Sequence, residues 1–422
     1  MIPNETIDKL IEDTTKVIDP HRQFYKVRFD DNSMDFAFQW ALGCIRNGGG
    51  EIGEMFYTAS RIEDYNPDSW AEEWPKMAHR VEIKAETSEE KGHKISAREF
   101  YMRASCYYRA ALTSLLPQNE KYMKWYQKSI ECISKAAALS EPEIELINIP
   151  FENTYLPGCF VKAANDRRKS KTILAIGGAE TFFIDLYFQI GPSALKHGYN
   201  FITVDIPGQG ILPTEAQFFR PDTEKPIGAI LDYLHNRPEV DIDHIAAYGI
   251  SGGGYYVPRA SAYDKRIKAC IANCAVTNIG KIMEEMAIKN QDSAKSGIEM
   301  SPFNIRMFQI MAWRHGITTG NISDLLTKTR DFTFDPSFIT CPVLNICSNG
   351  EYLNPVVKAM EDDFMQSVPN SNKKMVVALF EDGGGAHCIG ENTGLLSSLV
   401  FDWLDEIFKI KDEVNTHGKV TI

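Results

Sequence analysis

The segment Gly249-Ile250-Ser251-Gly252-Gly253 places a serine hydroxyl among small residues in the pattern G-x-S-x-G. An apolar run, His244–Tyr248, leads into it, and Gly252-Gly253-Gly254-Tyr255-Tyr256 leads out into a segment with helical character. Strand, sharp turn and helix are what a nucleophile elbow requires, because its serine sits on a strained turn that only small neighbours permit. A hydroxyl is a weak nucleophile until a base takes its proton, so a histidine must accompany it. Of the nine histidines, His387 has the right setting, on the loop Asp382-Gly383-Gly384-Gly385-Ala386-His387 between the last apolar run and the last helical segment. His315 and His244 compete with it and are expected to pack or to face solvent.

The third member of such a constellation is a carboxylate after the penultimate strand, between serine and histidine in chain order. Pro342-Val343-Leu344-Asn345-Ile346-Cys347 reads as that strand, and Glu351 follows it. Asp362, Asp363 and Asp382 are alternatives, the first two on a charged helix that should face solvent. Acyl transfer also needs donors for a developing oxyanion. The backbone N–H of Gly252 is one. The other should come from Gly177-Gly178-Ala179 after the first parallel strand, at Ala179 or Gly178. The turn Asp205-Ile206-Pro207-Gly208-Gln209-Gly210 after the next strand reads as a structural connection.

Behind these loops the chain changes texture after Glu141-Pro142. Before it, residues 1–142 read as a helical preface. Phe36, Phe38, Trp40, Ala41, Cys44 and Ile45 can share a helical side that Gly48-Gly49-Gly50 stops, and Ser96–Leu116 and Lys121–Leu139 form a helical hairpin broken at Pro117-Gln118-Asn119. After it, short apolar runs alternate with Gly-rich turns and helical segments: Ile144–Ile149, Gly158–Ala163, Thr172–Ile176, Phe201–Val204, His244–Tyr248, Lys268–Ala272, Val343–Cys347 and Lys374–Leu379. Continuous apolar strings suit strands buried on both faces of a mostly parallel sheet, an α/β architecture. The first two runs precede any helix of this part and predict an antiparallel edge hairpin. Residues 143–275 and 341–412 form the core, 276–340 a helical insertion of lid type, and 413–422 a tail. Thr393–Phe408 closes the core as an amphipathic helix.

Composition sets outer limits. The net charge of −12 over 422 residues disfavours nucleic acid, whose phosphates need clustered Lys and Arg. The dense basic run Arg167-Arg168-Lys169, with Lys171, is short and reads as a solvated loop. The opening Met1–Thr6 lacks the basic start and apolar run of a secretory signal, and no stretch reaches the ~18 consecutive apolar residues that span a bilayer. Nine scattered cysteines without a C-x-x-C pair suggest free thiols in a reducing compartment and no zinc site. The expected location is the cytoplasm. The expected partner is a small-molecule substrate, with no nucleic acid and no membrane, and a homodimer is compatible with the chain.

Taken together, strand-Gly177-Gly178, Asp205-x-Pro207-Gly208-x-Gly210, Gly249-x-Ser251-x-Gly253 and His387 before a last helix resemble the α/β-hydrolase superfamily over roughly residues 143–412. The long helical preface is similar to that of the group containing 2,6-dihydroxypseudooxynicotine hydrolase and the polyketide-shortening hydrolases of pigment and anthraquinone pathways. The bacterial fermentation-respiration switch protein resembles it too. The resemblance implies an α/β-hydrolase fold whose helical region and core enclose the active site, and cleavage of a C–C bond next to a carbonyl. It further implies that Glu180 is an additional active-site carboxylate, although a carboxylate there also suits a helix N-terminus. Neither metal nor organic cofactor is needed. A carboxylesterase with the same triad, and a non-catalytic binding protein on the same fold, are the alternative readings. Trp70, Trp74, Tyr57 and Trp313 are candidates for an aromatic pocket.

Overall fold

The computed structural model describes residues 26–163, 168–295, 300–318 and 322–417, without the side chains of 289–295 and 410–417. Part of the helical preface (1–25), Arg167 of the basic run, stretches of the insertion (296–299 and 319–321) and the end of the tail (418–422) lie outside the described residues.

Eight strands form one sheet: β1 (Ile144–Phe151), β2 (Thr154–Val161), β3 (Ser170–Ile176), β4 (Asn200–Val204), β5 (Val240–Ile250), β6 (Ala269–Asn273), β7 (Val343–Ser348) and β8 (Lys373–Ala378). Their spatial order is β1-β2-β4-β3-β5-β6-β7-β8. β1 pairs antiparallel with β2, and β2 antiparallel with β4; every later neighbour is parallel. The edge hairpin is therefore where the sequence predicts it. This strand order, with its antiparallel hairpin at one edge and helices on both faces, is that of the α/β-hydrolase fold expected from the sequence.

The central strands are apolar throughout because both faces are covered. Side chains alternate across a strand, and here Ile173 and Ala175 of β3 enter one core while Leu174 and Ile176 enter the other. The second core is built with the helices Glu224–His235, Gly253–Tyr263 and Pro355–Ser367. The first is larger. It runs from β3, β5 and β7 through the helices Phe183–Lys196 and Thr393–His417 into the preface, where Met34, Trp70, Trp74 and Tyr107 belong to the same apolar cluster. Preface and sheet thus exclude water together.

Within the preface, the helix Asn32–Gly43 starts at Asp31, whose carboxylate accepts from the N–H groups of Ser33 and Met34. That is the usual way to satisfy free N-terminal donors. Pro67–Glu90, Lys94–Ala111 and Lys121–Ala138 follow, the last two as the expected hairpin. The insertion contributes Ile279–Lys295, Pro302–Arg314 and Ile322–Thr329. Its middle helix packs on the preface: Phe303 lies edge-on to Trp70 at 5.6 Å, and Arg306 Nη1 donates to the Ser114 carbonyl at 2.8 Å.

Candidate active site

Ser251, Glu351, His387 and the 177–181 loop follow β5, β7, β8 and β3 respectively, all at the carboxyl ends of parallel strands. In open α/β sheets that is the edge where ligands bind. The fold brings these distant segments within hydrogen-bond reach.

Ser251 has φ of 58°, a left-handed conformation that non-glycine residues seldom adopt. Its N–H donates to the Asn273 carbonyl at 2.6 Å, which ties the turn to the end of β6. The turn is tight enough that a methyl on Gly253 would stand 2.5 Å from the Ile176 carbonyl oxygen. His387 Nε2 is 2.9 Å from Ser251 Oγ, and its Nδ1 bonds Glu351 Oε1. Glu351 in turn accepts from the Cys388 N–H at 3.1 Å and from the Ser348 hydroxyl at 2.9 Å. The Asn273 amide donates to the Cys388 carbonyl at 2.8 Å, and the Ala386 N–H to Glu391 at 2.7 Å, so both flanks of His387 are held.

Charge follows from this geometry. Burial disfavours the Glu351 carboxylate, but His387 and the donors from Cys388 and Ser348 outweigh it and bring its pKa down to about 2. Burial likewise disfavours the imidazolium of His387, and Glu351 outweighs that, moving the pKa up to about 9. An ionised carboxylate that favours positive charge on the adjoining imidazole is the arrangement that proton abstraction from Ser251 would require.

The alternative residues are elsewhere. Asp362 is exposed and engaged by Tyr352 and Lys358; Asp363 and Asp382 are also exposed. His315 is buried beside Phe219, burial brings its pKa down to about 4, and its Nδ1 bonds the Met311 carbonyl. His244 pairs with Asp241 at 2.7 Å.

Gly178, Ala179 and Glu180 stand beside the serine. A methyl on Gly178 would come within 2.7 Å of Ser251 Cβ and 2.9 Å of Oγ, so only glycine fits that approach. One on Gly252 would lie 3.4 Å from the Ala179 nitrogen. The amides of Gly252 and Ala179 therefore border one small region beside Oγ. Together with Ser251 and His387, a cavity is lined by Gly178, Ala179, Glu180, Thr181, Arg109, Thr113, Asp185, Phe36, Ala37, Trp40 and Met307. Core, preface and insertion all contribute to its wall.

The aromatic lining differs from the expectation. Trp70 and Trp74 are core, with the Trp70 indole donating to the Ala110 carbonyl at 2.8 Å. Tyr57 is exposed, and Trp313 packs on Tyr122 at 5.9 Å. Phe36 and Trp40 line the cavity instead, with Phe36 edge-on to His387 at 5.9 Å. Phe38 points away, onto Phe29 and Phe56. Two residues apart on a helix is about 200° of rotation, so Phe36 and Phe38 cannot share a face.

Ligand-type atoms converge in two places among the described residues, Glu351 with His387 and Cys388, and Cys274 with Cys347 and Glu361, each group within 4.8 Å. The first is the acid–base pair itself. In the second, Asn345 donates to Glu361, and burial pushes that carboxyl well up.

The model of the family described as "Esterase FrsA-like" matches residues 57–323, well over half of the sequence. The chain belongs to the FrsA-like esterase family. The matched span of this FrsA-like chain includes Glu180 and Ser251 and stops short of Glu351 and His387. The alpha/beta hydrolase gkaG of Penicillium citrinum is 28% identical, over 90% of this chain and 96% of that protein. The 20-hydroxy-prefusarin hydrolase of Gibberella moniliformis is 27% identical, over 92% and 99%. Among solved structures, 2,6-dihydroxy-pseudo-oxynicotine hydrolase superposes with a TM-score of 0.70 at 21% identity, over 87% of this chain and 95% of that one. The chain is an α/β hydrolase by fold and by family. No helix of the described residues is long and apolar enough to cross a membrane.

Proposed function

We propose that the chain is a serine-dependent hydrolase that cleaves a C–C bond next to a carbonyl in a polyketide-like or aromatic β-dicarbonyl substrate. The observation that carries this reading is the hydrogen-bonded series Ser251–His387–Glu351 opening into a cavity that Glu180 also lines. Relatives named as hydrolases along nearly their whole length, one of them for 20-hydroxy-prefusarin, support it.

In this reading His387 Nε2 takes the Ser251 proton as Oγ attacks a ketone carbon. The oxyanion accepts from the N–H groups of Gly252 and of Ala179 or Gly178. Collapse breaks the C–C bond, and its electron pair leaves as an enolate, which a second carbonyl stabilises by delocalisation. The His387 imidazolium returns the proton to that leaving group, and Glu180, on the wall of the same cavity, is a further acid–base group within the site. Water then attacks the acyl-serine, giving its proton to His387, and a carboxylic acid departs as Ser251 is re-protonated. The nine free thiols, eight of them buried, fit a cytoplasmic location.

The family description favours a second reading, a carboxylesterase with an alkoxide leaving group. Purified enzyme assayed on aryl β-diketones and on p-nitrophenyl esters separates the two. Diketone cleavage that disappears in Ser251→Ala is the expected result. Fast ester turnover without diketone cleavage selects the esterase, and a fluorophosphonate that ignores wild type as completely as Ser251→Ala overturns both.

A further inference from the structure

We infer that Gln209 is a positioning residue for the oxyanion site, a role that rests on the serine-hydrolase reading above. Its side chain is 1% exposed and lies in the turn after β4 that reads from sequence as a plain connection. Nε2 donates to the carbonyls of Gly177, at 2.6 Å, and Gly178, at 3.1 Å. Oε1 accepts from the Ile206 N–H at 3.0 Å, which fixes the amide so that the NH2 end faces the 177–178 loop. Thr181 Oγ1 makes a second donation to the Gly178 carbonyl at 3.0 Å.

The consequence comes from peptide geometry. In a trans peptide the C=O and the following N–H point to opposite sides of one rigid plane. Holding the Gly178 carbonyl on the Gln209 side turns the Ala179 N–H to the other side, and the Ala179 nitrogen lies 3.4 Å from where a methyl on Gly252 would stand; the bond to the Gly177 carbonyl fixes the adjoining peptide. Gln209 itself is not among the residues that line the cavity, so it acts through these amides. The turn that carries it is braced in its own right. Arg314 Nη1, from the insertion helix, donates to the carbonyls of Gly208 at 2.9 Å and Gly210 at 3.4 Å, and the Gly210 N–H donates to the Thr181 carbonyl at 3.1 Å. The line of contact thus runs from insertion to turn to Gln209 to the oxyanion amides.

The test compares the full chain with Gln209→Leu and Gln209→Glu, using an aryl trifluoromethyl ketone and its methyl ketone counterpart. The fluorinated ketone forms a tetrahedral adduct with Ser251 whose oxygen needs the amides; the methyl ketone serves as the ground-state probe. Gln209→Leu should weaken the adduct and lower kcat by about 10–100-fold, and leave KM and methyl ketone affinity nearly unchanged. In Gln209→Glu, nearly isosteric and thus the working variant where Gln209→Leu fails to fold, adduct affinity relative to wild type at the same pH should fall as pH rises. A protonated carboxyl there can still donate to a carbonyl, and an ionised one cannot. Adduct affinity at the wild-type level in a folded variant, or parallel loss of both ketones, overturns the inference. A wild-type chain that forms no Ser251-dependent adduct overturns the hydrolase reading itself, and the inference with it.

Discussion

Arg109 Nη2 donates to the backbone carbonyl of Glu180 at 2.8 Å, joining a helix of the preface to the loop beside Ser251. The same guanidinium pairs with Asp185, Nε donating to Oδ2 at 3.0 Å, and lies 4.3 Å from the Phe182 ring centroid. Two functions are combined in one side chain, and they separate by mutation. Arg109→Met leaves the Asp185 carboxylate buried without its partner and should cost about 3–5 kcal/mol. Adding Asp185→Asn removes that charge, keeps an oxygen to accept from the Phe182 N–H, and should recover most of the loss in denaturant midpoint. Activity should stay low in the double variant, because the Glu180 carbonyl still lacks its donor. Full activity in the stabilised double variant would refute the positioning role.

The His387–Glu351 pair sets the pH dependence. His387 acts as a base only when neutral, and its pKa is moved upward to about 9. Protonation below that value blocks abstraction of the Ser251 proton, so kcat/KM should rise with pH through neutrality. Its apparent pKa should lie well above the ordinary imidazole value of about 6.5. Glu351→Gln removes the negative charge that raises it. The limb should then move to lower pH, with kcat reduced by about 10⁴-fold as in other triads that lose their acid. A pH–rate profile of both proteins checks the direction, and a limb that does not move removes Glu351 from the acid role.

How much of this could be read from residues alone follows from the range of the interactions. The strands are legible because burial on both faces leaves continuous apolar runs, as in Thr172–Ile176. Ser251 and Glu351 can be nominated because each follows such a run within a few residues, and His387 because its glycine-rich loop joins the last run to the last helix. Gln209 and Arg109 carry no comparable signal. Their partners at 177, 178 and 180 lie 31 to 71 positions away, and a lone Gln or Arg is ordinary in any loop or helix. The pocket aromatics fail for a related reason. Phe36, Trp70 and Trp74 are all apolar to a periodicity argument, and only packing decides that the two tryptophans join the core while Phe36 meets His387.

Substitution of Glu180 should separate the two leaving-group chemistries proposed above. A p-nitrophenoxide departs with little help, whereas the enolate of a simple ketone is far more basic and needs a proton as the C–C bond breaks. Glu180→Gln keeps the shape of the side chain and removes its acid–base capacity. C–C cleavage of an aryl β-diketone should fall by about 10²-fold, at the low end for a general acid, while p-nitrophenyl ester hydrolysis changes little. The ratio of the two kcat/KM values is the measurement. Equal losses on both substrates would assign Glu180 to loop structure alone.

The aromatic part of the cavity wall can be moved without touching any polar group. Gly390 packs under the indole of Trp40, and a methyl there would come within 2.6 Å of a ring carbon. The backbone at 390 is right-handed helical, with φ of −62°, so alanine meets no conformational penalty and only the steric one remains. Gly390→Ala should therefore push the Trp40 ring toward the cavity it shares with Phe36 and His387. KM for bulky aromatic substrates should rise several-fold, the scale of one lost aromatic contact at about 1 kcal/mol. Turnover of a short acyl ester should be nearly unaffected. Trp40→Ala removes the clash, so the effect of Gly390→Ala should vanish in that background, a non-additivity expected of groups in direct contact. Additive losses in the double variant would place the Trp40 ring outside the substrate wall.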